Sequence, residues 1–148
     1  MDEIETSLHY FSEGYNCSQA ILMAFSARYN MPLETACKIS APFGGGIGRM
    51  GNLCGAVSGA IMTLGLVHGF TDPKNQDSKD QTYAYVNVFI DRFKVHHPSI
   101  FCRDLLGLDL GIPEQLAKAR EQQIFAIRCP AFVRDAAELL NEILDSNL

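Results

Sequence analysis

Thiols are the side chains of this sequence best suited to chemistry, and there are five of them: Cys17, Cys37, Cys54, Cys102 and Cys129. A thiolate attacks disulfides and ligates metals, and its availability depends on the surroundings of the sulfur. No two of the five stand in C-x-x-C spacing, which removes a thioredoxin-like motif, a zinc knuckle and a haem attachment site. Joint chemistry therefore requires the fold to bring them together.

Four of the five share a local context. Cys17 follows Asn16, a capping residue answered by Gln19 three positions on. Cys54 stands two residues after Asn52, Cys129 directly precedes Pro130, and Cys102 falls in the first turn of a short segment that Ser99 can cap. All four are expected at helix N-termini, where unpaired amides and the positive end of the helix dipole favour a thiolate. Cys37 sits within a helix among Ala36 and Ile39 and reads as a small core residue. The candidate site, whether catalytic, cofactor-binding or metal-binding, is thus Cys17, Cys54, Cys102 and Cys129. The plainer alternative is that these thiols only pack, as buried cysteines often do.

The elements that must position them read as helices separated by Gly and Pro. Ile4, Leu8 and Phe11 mark a short first helix closed near Gly14. The helix capped by Asn16 is apolar nearly all round and is expected to be deeply buried. Pro32 begins a helix to about Ser40, and Pro42 to Asn52 is a glycine-rich loop. Asn52 is expected to cap a long helix running towards Gly69, and a polar surface loop covers Thr71 to Asp77. Ser78 and Gln81 form a capping-box signature before a helix with Tyr83, Val86, Ile90 and Phe93, ended by Pro98. Pro113 and Pro130 open the last two helices, since proline suits the first helical position. The fold class is all-α, as one helical domain over residues 1–148 with a glycine-rich loop before a central buried helix.

Gly51, Gly55 and Gly59 recur every fourth residue, so they are expected on one helix face that another backbone can approach closely, or that serves a homodimer contact. Residues 46–51 spell G-x-G-x-x-G, but a dinucleotide site needs a strand before it and a βαβ unit around it, and Pro42 interrupts the preceding segment. What remains is a connector, or a loop whose free amides meet an anion with help from Arg49. His96 and His97 are expected to be solvated or to cap carbonyls rather than to ligate a metal. Arg103 and Asp104, like Arg134 and Asp135, read as salt-bridge material within helix starts that orients the surroundings of the site.

Composition narrows the function classes. A chain of 148 residues with 47% hydrophobic and 20% charged residues builds a core without needing disulfides or metal to hold it. A net charge of −5, with no block of Lys or Arg, argues against a nucleic-acid partner. The stretch from Leu53 to Phe70 lacks charges but is broken by glycines and His68, and reads as a buried helix rather than a membrane span. The acidic start of the chain does not resemble a secretory signal, so the expected compartment is the cytosol, where recurring cysteines more often mean metal binding or redox catalysis than structural disulfides.

The residues around the cysteines also form a recognisable pattern. Cys54-Gly55-Ala56-Val57-Ser58-Gly59 reads as CGAxxG, with one cysteine upstream and two downstream. Together with GYNCSQA around Cys17, the PFGGGIGR loop, CRDLLG around Cys102 and CPAFVRDAAE around Cys129, it resembles the C-GCAxxG-C-C family of small redox-active proteins. The resemblance implies a four-cysteine redox role and leaves Cys37 outside the pattern.

Two redox versions stand side by side. Four thiolates can hold an iron–sulfur centre of the [2Fe–2S] type, an anion that helix-start amides favour. Alternatively two cysteines form a reversible disulfide with no cofactor. Outside redox chemistry, a zinc site made by the four cysteines is the structural or sensory alternative, and an interaction module with inert thiols is another. The sequence identifies no electron partner.

Overall fold

The computed structural model describes residues 1–146. Asp2 starts α1 (Glu3–Ser12) by accepting a hydrogen bond from the amide of Glu5 at 2.8 Å, and Gly14, with φ of +106°, turns the chain after it. α2 (Cys17–Ser26) begins with the reciprocal cap that its sequence promises. The Gln19 amide donates to Asn16 Oδ1 at 2.9 Å, and the Asn16 amide donates to Gln19 Oε1 at 3.1 Å. From Ser18 onward every described α2 residue but Gln19 is buried, because four other helices surround it: α1, α3 (Leu33–Ser40), α4 (Gly55–His68) and α8 (Ile124–Leu144).

The closest of these packings joins α2 to α4. A Cβ placed on Gly59 would come within 2.8 Å of the Ser18 carbonyl oxygen and 3.0 Å of Ile21 Cβ. Only a glycine leaves room there for the neighbouring backbone. Gly55 does the same a turn earlier, where its Cβ would stand 3.0 Å from both Cys17 Cβ and the Ser18 amide nitrogen. Gly51 does not continue this face. Its φ of +71° places it in the loop before α4, and Cys54, not Asn52, is the residue that enters the helix. Asn52 instead folds its side chain back to accept from the Leu53 amide.

α5 (Gln76–His96) carries Tyr85, Phe89 and Phe93 into the core and packs on α4 and α8. Its cap is Asn75, whose side chain accepts from the Ser78 amide, so the helix starts three residues ahead of the start expected from the Ser78 and Gln81 pair. α6 (Cys102–Leu106) is short, and α7 (Pro113–Glu121) opens on its proline as expected. The largest fully buried side chains include Phe25, Phe89, Phe93, Ile21, Leu22 and Leu64, contributed by α2, α4 and α5.

Two features depart from sequence expectation around Cys129. α8 starts at Ile124, so Pro130 lies inside it and Cys129 is a helix-interior residue rather than a helix start. The break between α7 and α8 falls at Gln122 and Gln123, with Gln123 in the left-handed region at φ of +53°. Among the described residues no strand forms. The glycine loop therefore lacks the βαβ setting of a dinucleotide site, and no helix is long and apolar enough to cross a membrane.

Candidate functional site

Cys54 and Cys102 owe their placement to an antiparallel bridge between Leu53 and Phe101. The Cys54 amide donates to the Ile100 carbonyl and the Cys102 amide to the Asn52 carbonyl, both at 2.7 Å. In extended backbone successive side chains alternate sides. Leu53 and Phe101 thus take one side, while the two cysteines that follow them turn to the other as their helices begin. Ser99 stiffens the approach by accepting from the Phe101 amide and donating to Asp104, although Phe101 itself occupies the cap position of α6.

Glycines set the remaining distances. A Cβ on Gly46 would lie 2.7 Å from Cys102 Cβ and 2.5 Å from the Asn52 amide nitrogen, so the glycine loop sits directly on the bridge. A Cβ on Gly44 would strike the Asn16 side chain, which caps α2 and donates from Nδ2 to the Ala41 carbonyl at 3.0 Å. The loop is thereby fastened at both ends to residues adjacent to cysteines. Cys129 reaches the same place from α8, where the neighbouring Arg128 donates to the Leu105 carbonyl at 3.0 Å, near the end of α6.

The result is a cavity of about 640 Å3 whose wall includes Cys17, Cys54, Cys102 and Cys129. Cys37 is not on it. It is half-buried against Leu22, Met23 and Ala36, and Gln19 Nε2 approaches its sulfur at 3.4 Å. The expectation of four helix starts holds for Cys17, Cys54 and Cys102 and fails for Cys129, which arrives through tertiary packing.

All five thiols are free. Cys17 and Cys129 both line the cavity, and each perturbs the titration of the other. Their interaction draws the Cys129 pKa below the ordinary thiol value and drives the Cys17 pKa well above it, with burial and the charge of its neighbours adding to the rise. The pair titrates as a unit. Cys54 and Cys102 are pushed up to about 11 and about 12, in both cases chiefly by burial, and stay protonated at neutral pH. At Cys54 the helix start works against burial. No formal cap bond forms, yet the amides of Ala56 and Val57 favour negative charge on its sulfur. Cys54, Cys102 and Cys129 are 4%, 8% and 5% exposed, whereas Cys17 is half-buried and the most open of the four.

A family model described as putative redox-active protein (C_GCAxxG_C_C) matches residues 15–143. The chain belongs to that family. Comparisons with curated proteins and with solved structures give no match. In this C_GCAxxG_C_C protein the CGAxxG segment has a concrete geometry. Its cysteine is the entry to α4, its first glycine rests on Cys17, and its second admits the α2 backbone.

Among the described residues no three His, Cys, Asp or Glu side chains gather as a single metal ion requires. The four thiols surround the cavity without converging on a point. His97 takes no part in the site. It pairs with Asp135 at 2.6 Å and lies against Phe93 and Phe132, while His96 is exposed. Of the four residues expected to make salt bridges, Asp135 does so, with His97, and the other three make none among the described residues. Asp135 serves His97, Asp104 serves Ser99, and Arg103 lies over the Phe101 ring. Arg128, Gly44 and Gly46 are site residues that the sequence does not single out individually. Their positions next to Cys129 and in the glycine loop are the only local cue.

Proposed function

We propose that this protein is a thiol–disulfide redox protein in which Cys17 and Cys129 are the reacting pair. The observation that carries this reading is that both thiols line one cavity and shift each other's acidity in opposite directions, which favours a thiolate on Cys129 and a protonated thiol on Cys17. The Cys129 thiolate attacks one sulfur of a substrate disulfide, forming a mixed disulfide, and the leaving thiolate takes the proton held by Cys17. The Cys17 thiolate then attacks the Cys129 sulfur and expels the second substrate thiolate, which is protonated from solvent. Two electrons and two protons pass to the substrate, and a Cys17–Cys129 disulfide remains. A dithiol donor restores the pair by the same steps reversed.

Cys54 and Cys102 contribute neutral thiols. Their raised pKa values keep additional negative charge away from the reacting pair at neutral pH. Arg128, through its bond to the Leu105 carbonyl, fixes the α8 segment from which Cys129 projects.

A second reading, a [2Fe–2S] centre held by Cys17, Cys54, Cys102 and Cys129, is favoured by the presence of all four on one cavity wall. Such a centre supplies one-electron transfer when bound. The donor set suits it and the cavity has room for it. The arrangement does not suit a single zinc ion, which needs four sulfurs at about 2.3 Å from one point.

One experiment separates the readings. Anaerobically purified protein is analysed for iron and sulfide, then exposed to a graded redox buffer, alkylated and mapped by mass spectrometry. The dithiol reading expects a Cys17–Cys129 disulfide to form first, with Cys54 and Cys102 still reduced. Iron and acid-labile sulfide at about two of each per chain would replace it with the cluster reading.

A further inference from the structure

The cavity has a second pole, opposite in character to the thiols. Arg49 is the only Lys, Arg, Asp or Glu on its wall among the described residues, in a chain whose net charge is −5. It makes no ion pair among the described residues. Its stem is folded back over the loop, where a Cβ on Gly45 would lie 2.7 Å from Arg49 Cγ, so glycine at position 45 is a condition of this placement. The backbone is unusual as well. Residues 45–49 all have positive φ, including Ile47 at 63° and Arg49 at 62°, conformations that side-chain-bearing residues seldom adopt. Strain of this kind persists only where the surroundings over-determine it.

Polar groups on the same wall lack partners. The amides of Ile47 to Asn52 are all bonded to loop carbonyls, whereas those of Gly45 and Gly46 have no partner among the described residues. Every one of these groups can donate a hydrogen bond, and no carboxylate faces them on the wall among the described residues. The rest of the lining is largely apolar, with Leu105, Leu106, Leu110, Phe125 and Phe132.

We infer that the cavity binds a small disulfide bearing a negatively charged group such as a carboxylate, with Arg49 and the Gly45 and Gly46 amides holding the anion while its sulfurs meet Cys17 and Cys129. The inference rests on the dithiol reading of the reacting pair. Size favours a small molecule over a disulfide in a folded protein. A cavity of about 640 Å3 falls in the range of small-molecule sites, and three of the four wall cysteines are under a tenth exposed. Arg49 is then the specificity-determining residue, because a guanidinium binds a carboxylate through charge-assisted bonds.

The test uses the full chain, reduced, in single turnover with 3,3′-dithiodipropionate as the dianionic probe and bis(2-hydroxyethyl) disulfide as the neutral one. Arg49→Gln is expected to lower the ratio of the two rate constants by about tenfold or more, the loss typical of a hydrogen bond to a charged group, while Arg49→Lys keeps most of it. An unchanged ratio in Arg49→Gln overturns the anion site. The Cys17→Ser/Cys129→Ser variant, which cannot exchange, is titrated calorimetrically with the dianion and is expected to bind it about tenfold more weakly once Arg49→Gln is added. If no disulfide reacts but this Arg49-dependent binding holds, the exchange chemistry fails and the anion site stands. If both disulfides react at rates indifferent to residue 49, the exchange chemistry stands and the anion site fails. If the probe neither reacts nor binds, both are overturned.

Discussion

Alanine at Gly59 and alanine at Gly65 are the same chemical change on the same helix, and the structure assigns them opposite signs. Glycine inside a helix is less favourable than alanine by about 0.5–1 kcal/mol, so each substitution begins with that gain. At Gly65 nothing lies within 4 Å of the new methyl group, and the gain is realised. At Gly59 the methyl would stand 2.8 Å from the Ser18 carbonyl oxygen and 3.2 Å from Ser18 Cα. These are backbone atoms of a fully packed helix and cannot rotate away. Relief requires α2 and α4 to separate by several tenths of an ångström along their closest contact, a form of overpacking that costs about 1–3 kcal/mol. α2 begins at Cys17, whose Cβ would be 3.0 Å from a Cβ on Gly55, so separation also disturbs the placement of Cys17 relative to Cys129. Urea unfolding of the reduced proteins should place Gly65→Ala above the parent and Gly59→Ala below it, with unchanged slopes. The rate at which the Cys17–Cys129 disulfide forms in a fixed redox buffer should fall in Gly59→Ala alone. The packing argument is refuted if Gly59→Ala is as stable as Gly65→Ala.

Alkaline pH should weaken the fold through Cys54 and Cys102. Their folded pKa values of about 11 and about 12 lie above the ordinary thiol value, so the folded state holds more protons between pH 9 and these limits, and stability falls as pH rises through that window. The slope is about 1.4 kcal/mol per pH unit for each thiol, and Cys54→Ala should shed its share in a pH series of unfolding midpoints. Oxidation of Cys17 and Cys129 should act in the other direction. The bond closes a loop of roughly a hundred residues and can stabilise by up to about 4–5 kcal/mol, seen as a higher thermal midpoint that a dithiol reductant reverses. Cys37→Ser should leave the redox cycle intact, because Cys37 lies off the cavity. Loss of disulfide formation in a folded Cys37→Ser protein would show that the reacting thiols were misassigned.

What could be read in the sequence is what depends on neighbours within a few positions. The Asn16–Gln19 cap, the proline start of α7 and the all-helical class follow from local side-chain chemistry, and the structure reproduces them. The error at Cys129 has the same origin. Pro130 looks like a helix opener because proline prefers the first turn, and the actual break at Gln122 and Gln123 carries neither glycine nor proline to mark it. Gly51 fits the four-residue spacing of Gly55 and Gly59, but a spacing contains no information on the sign of φ, and its positive φ takes it out of the helix. The Leu53–Phe101 bridge and the Arg128–Leu105 bond join segments far apart in the chain, and no periodicity announces them. The cavity itself is a product of those long-range contacts, so its residues could be nominated from the sequence while its shape could not.

Pro130 has a consequence for how α8 comes apart. Having no amide hydrogen, it gives nothing to the carbonyl of Ala126, which lies on the cavity wall, so the ladder of α8 lacks a rung one residue beyond Cys129. The opening turn, with Ile124, Phe125, Ala126 and the 69%-exposed Ile127, is therefore joined to the remainder of the helix more weakly than an unbroken helix would be. In amide hydrogen exchange the segment up to Cys129 should lose protection at a lower free energy than the stretch from Phe132 to Leu140, which is anchored by Val133, Ala136 and Ala137 in the core. A buried sulfur seated beside such a seam should be exposed by opening of the first six residues of α8, ahead of the stretch that the core anchors.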